Sequence, residues 1–115
     1  MKIFFTSAEN YLERGKSNLI LKKYSEAIED LTKAIENFSE DELYCEKFFM
    51  AYYARGLAYK KIKNFFEATE DFKLALDYNR DSYESWYNLG ICYQVLYGCE
   101  FAELAFDMAE RLQNF

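Results

Sequence analysis

The chain has 115 residues, of which 51% are hydrophobic and 20% aromatic, so we expect one packed domain and not a disordered protein. Its net charge of −6, with no basic stripe to offset it, argues against nucleic acid as a partner, because phosphates need clustered Lys and Arg. The opening Met1–Phe5 run is too short for a signal peptide and no stretch is long enough to span a bilayer, so we expect a cytoplasmic protein without a membrane partner.

Apolar residues follow a helical period along nearly the whole chain, which contains no proline. This pattern predicts an all-α protein with six helices at about residues 7–22, 25–37, 40–62, 65–79, 82–96 and 100–113. The third helix is predicted to be the longest. Ser39 with Glu42 has the pattern of a capping box, and no helix breaker follows until Lys63. At about 1.5 Å per residue, this helix would be about 33 Å long.

A four-residue signature recurs three times along these helices. A glycine is followed twelve residues later by alanine, then four later by a bulky apolar residue, then three later by alanine. The copies are Gly15/Ala27/Leu31/Ala34, Gly56/Ala68/Phe72/Ala75 and Gly90/Ala102/Phe106/Ala109. Glycine inside a helix costs about 1 kcal/mol relative to alanine, so its recurrence indicates that the second helix of each pair packs closely on the first. Repetition at this period predicts a repeat array with an extended binding surface.

These segments resemble the tetratricopeptide repeat. Residues 83–93 hold the tryptophan, leucine, glycine and tyrosine of the first helix of that repeat, and residues 24–35 resemble its second helix. The resemblance implies that residues 1–115 form a single tetratricopeptide domain. Its expected architecture is an α-α superhelix, a solenoid of three helix-turn-helix pairs at about residues 8–41, 49–82 and 83–115.

The proline that usually ends a repeat is replaced by Ser39, Arg80 and Asn114, and the first two copies depart from the family pattern at two further positions. The tryptophan position holds Tyr11 and Tyr52, and the leucine before the glycine is replaced by Arg14 and Arg55. Such losses are common in the family, so the expected fold is unchanged.

Seven extra residues, 42–48, separate the first copy from the second. The first two repeat glycines are 41 residues apart, whereas the last two are 34 residues apart. Placed in the first helix of repeat two, the insertion would extend that helix, and residues 40–48 would project beyond the neighbouring helices. Two interpretations stay open, an added surface for a partner and an insertion that is merely tolerated.

The last helix has a second apolar stripe beside its inward one. On a helical wheel, this stripe contains Phe101, Leu104, Ala105, Met108, Leu112 and Phe115. Members of the family commonly carry a further helix that covers the last pair, and the sequence shows none here. A contiguous exposed apolar patch usually marks an interaction site. We therefore expect a C-terminal interface at Phe101, Leu104, Met108, Leu112 and Phe115 for a homodimer or an obligate partner, with cover by Met1–Phe5 or tolerated exposure as alternatives.

Catalysis is not expected. The chain has no histidine, the commonest general base and metal ligand, and a cysteine nucleophile would lack its usual imidazole partner. The glycines are spread singly, so they form no phosphate-binding loop. Acidic runs such as Glu40–Glu42 are better explained by helix starts and solvated faces than by a metal site. We therefore expect no catalytic residue, no metal and no cofactor.

The resemblance also implies a concave groove lined by the first helix of each pair. Carried over position by position, its residues here are Leu12, Lys16, Met50, Tyr53, Leu57, Lys60, Tyr87, Asn88 and Ile91. The apolar and aromatic members suit an extended peptide or an amphipathic helix of a partner protein. The alternative is that some of these side chains simply pack against one another between repeats.

The best-known groove of this family is a clamp for the C-terminal carboxylate of Hsp70 and Hsp90 chaperones. Its lysine, asparagine and arginine positions correspond here to Leu12, Lys16, Ala54, Glu84 and Asn88. Lys16 alone is a cation, and Glu84 reverses a required charge, so a clamp is not expected. Two functions stay open, a non-enzymatic peptide-binding adaptor and a self-associating structural protein that uses its last helix. A weaker third hypothesis is a subunit that positions a catalytic partner.

Overall fold

The computed structural model describes residues 7–114, and these residues form six α-helices and one short 3-10 turn without any strand. The elements are α1 Ser7–Ile20, α2 Tyr24–Asn37, the 3-10 turn Glu42–Tyr44, α3 Cys45–Lys61, α4 Phe65–Tyr78, α5 Tyr83–Tyr97 and α6 Cys99–Gln113. The predicted all-α class and the six helices are confirmed.

The helices stack as three pairs in chain order. α1 packs on α2, α3 on α4 and α5 on α6, and each of α2 and α4 also packs on the first helix of the next pair. Among the described residues, Cα atoms of α1 and α3, and of α3 and α5, approach within 8 Å of each other, whereas those of α2, α4 and α6 do not. The layer of α1, α3 and α5 is therefore the crowded inner side of a curved stack. This is the expected solenoid of three helix-turn-helix pairs.

Each repeat glycine lies directly beneath the bulky residue of its own second helix. A Cβ atom built on the glycine would lie 2.7 or 2.8 Å from that side chain in all three pairs, Gly15/Leu31, Gly56/Phe72 and Gly90/Phe106. Carbon atoms that do not share a bond normally stay about 3.5–4.0 Å apart. The missing side chain therefore makes room for a leucine or phenylalanine at the helix surface. The alanines at positions 27, 68 and 102 are fully buried, as expected for the same close packing.

The third helix is shorter than predicted. The prediction that it begins at residue 40 is wrong, because residues 40–44 are not part of it. The chain is extended at Phe38, Asp41 caps the 3-10 turn by accepting the N–H of Leu43 at 3.3 Å, and α3 begins at Cys45. The Phe38 ring packs edge-on against Phe48 with ring centres 5.1 Å apart. This aromatic contact holds the connection against α3. Only residues 45–48 of the insertion lengthen that helix, and residues 40–44 do not extend it.

Substituting Gly56 with alanine tests the close packing. The gain in helix propensity is about 1 kcal/mol, but the new Cβ would lie 2.8 Å from Phe72, a ring that is fully buried in a close-packed interior. We expect the free energy of unfolding in urea to fall by about 1–2 kcal/mol. Gly90→Ala is the matched control, because its neighbour Phe106 is partly exposed and can shift outward. A Gly56→Ala protein as stable as the original, or less affected than Gly90→Ala, would contradict this explanation.

Candidate protein-interaction groove

The predicted groove residues belong to the inner layer and differ in how much surface they present. Tyr87 is 52% exposed, and the side chains that are partly exposed are those of Lys16, Met50, Tyr53, Leu57, Lys60 and Ile91. Leu12 and Asn88 are 3% and 7% exposed. Leu12 is part of the core beneath the groove. It therefore offers almost no surface to a partner.

Asn88 joins α3 to α5 at the centre of this layer. Its side-chain N–H groups donate to the Tyr53 hydroxyl at 3.3 Å and to the Glu84 carbonyl at 2.8 Å, and its carbonyl accepts from Lys60 Nζ. Because both amide N–H groups are engaged, Asn88 acts as a structural bridge between the helices. Burial raises the pKa of Tyr53, and the nearby Glu84 charge adds to that rise. Burial lowers the pKa of Lys60.

Two tyrosines at equivalent positions of the second and third pairs have nearly the same geometry. The Tyr53 ring lies 5.8 Å from Phe72 at 56°, and the Tyr87 ring lies 5.8 Å from Phe106 at 57°. Tyr53 is also stacked on Phe49, with ring centres 5.9 Å apart. The residue that fills the space above the glycine thus also fixes a groove tyrosine. Rings that are held in place before binding lose little entropy when a partner docks.

Two ion pairs join the helices of the first two pairs, and the groove pattern of the family does not predict them. Each arginine that replaces the leucine before the glycine forms two hydrogen bonds with an aspartate sixteen residues later, and the pairs are Arg14/Asp30 and Arg55/Asp71. The aspartate side chains are 6% and 3% exposed. The signal was present in the sequence. Both copies with arginine before the glycine have aspartate before the bulky residue, whereas the third copy has Leu89 and Ala105.

The two ion pairs differ in burial. The Arg14 side chain is 62% exposed, whereas that of Arg55 is 17% exposed and also donates to the Thr32 hydroxyl of the preceding pair at 3.0 Å. Hydrogen bonding from Arg14 lowers the pKa of Asp30. Burial raises the pKa of Asp71, and the Arg55 guanidinium opposes this rise. Both aspartates are therefore buried, whereas the arginine of the pair is largely exposed in the first repeat and enclosed in the second.

The predicted C-terminal interface lies along α6. Leu104 is 72% exposed and Phe101 is 57% exposed, while Met108 and Leu112 are partly exposed. Phe115 lies outside the described residues. The Phe101 ring is partly covered, because it packs edge-on against Tyr93 with ring centres 4.8 Å apart. The patch thus begins at the junction of α5 with α6 and continues along α6.

Residues suited to other chemistry are few. Within residues 7–114, no group of three or more His, Cys, Asp or Glu side chains could hold a metal ion. None of the helices in that range combines the length and the hydrophobicity that a membrane span requires. Cys92 is buried, which raises the pKa of its thiol, whereas Cys45 and Cys99 are exposed.

A sequence profile described as Tetratricopeptide repeat matches residues 8–40 and 51–82, which together exceed half of the chain. The chain belongs to this family. The two matched segments cover the first two helix pairs of this tetratricopeptide protein. The third pair, α5 with α6, repeats their glycine contact, and it completes three tandem repeats.

Solved structures share this fold. The second tetratricopeptide domain of Spaghetti (RPAP3), bound to the HSP90 peptide SRMEEVD, has a TM-score of 0.79 at 22% identity over 93% of each chain. The first domain of that protein, bound to the same peptide, has a TM-score of 0.79 at 24% identity over 94% of this chain and 80% of the other. MamA has a TM-score of 0.79 at 24% identity over 95% of this chain, which spans 60% of the MamA chain. At these identities the likeness shows the fold alone. No curated protein matches the sequence significantly.

Two variants of the enclosed ion pair test its role in stability. Arg55→Leu leaves the Asp71 carboxylate buried without its cation, so we expect the free energy of unfolding to fall by about 3–5 kcal/mol. Adding Asp71→Ala reproduces Leu89 and Ala105 of the third repeat, and we expect this double variant to unfold within about 1 kcal/mol of the original protein. Urea unfolding measures both values. A double variant as unstable as Arg55→Leu would contradict the pairing argument.

The pH dependence of the Arg55→Leu variant provides the control. Its buried Asp71 should have a folded-state pKa above the unfolded value of about 3.9. The loss in free energy of unfolding is therefore fully present at pH values above the folded-state pKa. It should shrink as the pH falls towards the unfolded pKa, because the carboxyl group then becomes neutral in the folded state. Arg14→Leu should show a smaller loss at neutral pH, because that pair lies nearer to solvent.

Proposed function

We propose that the chain is a cytoplasmic, non-enzymatic protein-interaction module, and that it binds a peptide or amphipathic helix of a partner protein along its inner layer. The observation that carries this proposal is the pair of equivalent rings, Tyr53 and Tyr87, each fixed by a phenylalanine and each still partly exposed. Membership of a family of protein-interaction repeats supports it. Tyrosine offers a large contact area and one hydrogen bond at low entropic cost.

The proposed contact surface consists of the groove residues that retain exposure. These are Lys16, Met50, Tyr53, Leu57, Lys60, Tyr87 and Ile91. Leu12 and Asn88 support this surface from below and make at most minor contacts, because they are 3% and 7% exposed. The surface is mostly apolar and aromatic, with one lysine from α1 and one from α3. Such a floor suits a segment that inserts apolar side chains at regular intervals.

The partner segment is proposed to bind without a carboxylate clamp. Of the five clamp positions, Leu12, Ala54 and Asn88 are nearly buried. Glu84 is exposed and would repel a carboxylate. Lys16 is the one cation among the five, and its ammonium group lies 3.5 Å from Glu13. A terminal carboxylate would therefore meet one lysine that already has an acidic neighbour, and we assign the groove to a different class of segment.

A double substitution tests the groove. Peptides selected from a displayed random library on the original protein supply the probes, and isothermal titration calorimetry measures their affinity. Tyr53→Ala with Tyr87→Ala should weaken binding at least about tenfold, because buried aromatic anchors commonly contribute more than 1 kcal/mol each. The control is Tyr24→Ala with Tyr59→Ala, since Tyr24 lies on α2 and Tyr59 borders Thr32 and Leu74 between α2 and α4. Circular dichroism checks that helicity is retained. Unchanged binding by the groove variant would contradict the proposal.

Self-association through α6 is the second candidate function, in which the chain forms a homodimer. The exposed side chains of Leu104 and Phe101, next to the 55% exposed Tyr97, favour it. Sedimentation velocity over a range of micromolar concentrations should then show a dimer that Phe101→Glu with Leu104→Glu converts to a monomer. Leu43→Glu is the matched control, because Leu43 is 82% exposed and lies in the 3-10 turn. An original protein that stays monomeric throughout would exclude this candidate and leave the groove proposal intact.

A further inference from the structure

The insertion borders a cavity that the groove does not use. The cavity has a volume of about 360 Å³ and lies where the end of α2 meets the start of α3 and the end of α4. Cys45 and Phe48, which belong to the inserted residues 42–48, form part of its wall. Cavities of roughly 300–1,000 Å³ are the usual size of small-molecule sites.

One side of the cavity is aromatic. Phe48 and Tyr78 are stacked with ring centres 5.2 Å apart and an angle of 7°, and Tyr52 lies nearly parallel to both at 6.3 and 6.0 Å. Phe38 stands at 70° to Phe48, with ring centres 5.1 Å apart. Phe38 and Phe48 are 7% and 8% exposed, so the surrounding helices hold them in place, whereas Tyr78 is 40% exposed at the outer side. Rings in two orientations therefore border one cavity.

The other side of the cavity is acidic. Glu36, Glu40 and Asp41 line it, and none of its lining residues is basic. Among the described residues, none of these three carboxylates forms an ion pair. Asp41 uses one oxygen to cap the 3-10 turn. These three residues are exposed, so the site combines aromatic rings with solvated carboxylates that form no ion pair.

Cations of the chain itself lie over one ring of the cavity, Tyr52, and over Tyr44, a neighbouring ring that does not line the cavity. The Arg55 guanidinium lies 5.6 Å from the centre of the Tyr52 ring, and the Lys47 ammonium lies 5.7 Å from the centre of the Tyr44 ring. Tyr44 is itself 6.0 Å from Phe38. The faces of such rings attract cations, and the attraction increases when the cation is removed from water.

We propose that this cavity binds an alkylammonium group, a positively charged nitrogen that carries methyl or methylene groups. The rings contact the alkyl groups, and the carboxylates balance the charge. A purely apolar ligand would gain nothing from the carboxylates, an anion would be repelled by them, and a hydrated metal ion would gain nothing from the rings. The alkylammonium group comes either from a free quaternary amine or from a methylated lysine of another protein. The site gives the insertion a function and does not depend on the proposed groove.

The first experiment uses the whole chain and two probes that differ in charge alone. Choline and its neutral isostere 3,3-dimethylbutan-1-ol are titrated into the protein, and binding is followed by NMR of labelled tyrosine and phenylalanine rings. We expect saturable binding of choline and at least about fivefold weaker binding of the neutral alcohol. Absence of saturable binding by any cationic probe, or equal binding of choline and the alcohol, would overturn the proposal.

A third probe distinguishes the two sources of the ligand. A short peptide with trimethyl-lysine is compared with choline and with the same peptide carrying norleucine, which lacks the trimethylammonium group. Tighter binding of the trimethyl-lysine peptide than of choline supports a protein source, whereas equal or weaker binding supports a free amine. A norleucine peptide that binds as well as the trimethyl-lysine peptide would count against a cation site.

Substitutions in the cavity wall test whether choline binds there. Tyr78→Leu removes a ring from the wall and should weaken choline binding at least about fivefold. Tyr83→Leu is the matched control, because Tyr83 has the same 40% exposure but lies outside the cavity. Glu40→Gln with Asp41→Asn should also weaken binding, and the asparagine can still cap the turn. If the Tyr78→Leu and Tyr83→Leu variants bind choline with equal affinity, choline does not bind in this cavity and the proposal is wrong. If Tyr78→Leu does not fold, the two carboxylate substitutions decide in its place.

Discussion

The contact between a glycine on one helix and a bulky side chain on the next is the constraint on which this structure depends. It brings the helices of each pair close together, and it recurs at Gly15, Gly56 and Gly90 with nearly the same separation. The side chain above the glycine then supports a tyrosine on the inner layer in the second and third pairs. A helix-packing requirement therefore also determines where the candidate groove places its aromatic rings.

Next to this contact, the repeats differ in the pair of side chains that joins the two helices. The first two pairs join their helices through an arginine and an aspartate, and the third uses Leu89 and Ala105. A buried ion pair adds little net stability over an apolar pair of similar volume, because desolvation offsets most of the attraction. Its geometry is more restrictive, however, since Arg55 must meet both oxygens of Asp71. We infer that the ion pairs act chiefly to fix the register of the two helices.

The fold could be predicted from the sequence because helical period and repeat spacing are local patterns that every copy displays. The start of α3 could not be predicted, because the capping pattern at Ser39 competes with the packing of Phe38 on Phe48. That contact joins residues ten positions apart and is not visible in the sequence. The positions of the groove residues could be carried over from the family, but the burial of each side chain could not. Asn88 is buried because residues from α3 reach it, and no pattern within α5 reveals this. The ion pairs were recognisable only by comparing two helices across several copies.

Within five residues, α3 contributes to four separate features of the molecule. Tyr52 lines the cavity formed with the insertion, Tyr53 belongs to the candidate groove, Arg55 forms the enclosed ion pair, and Gly56 receives Phe72. Successive residues of a helix point about 100° apart, so one short segment can serve several surfaces. The segment sits in the middle pair, where neighbours on both sides restrict it. A regular stack repeats the same surfaces, and the insertion beside α3 is where this chain departs from that repetition. A site specific to this protein is therefore best sought beside that helix.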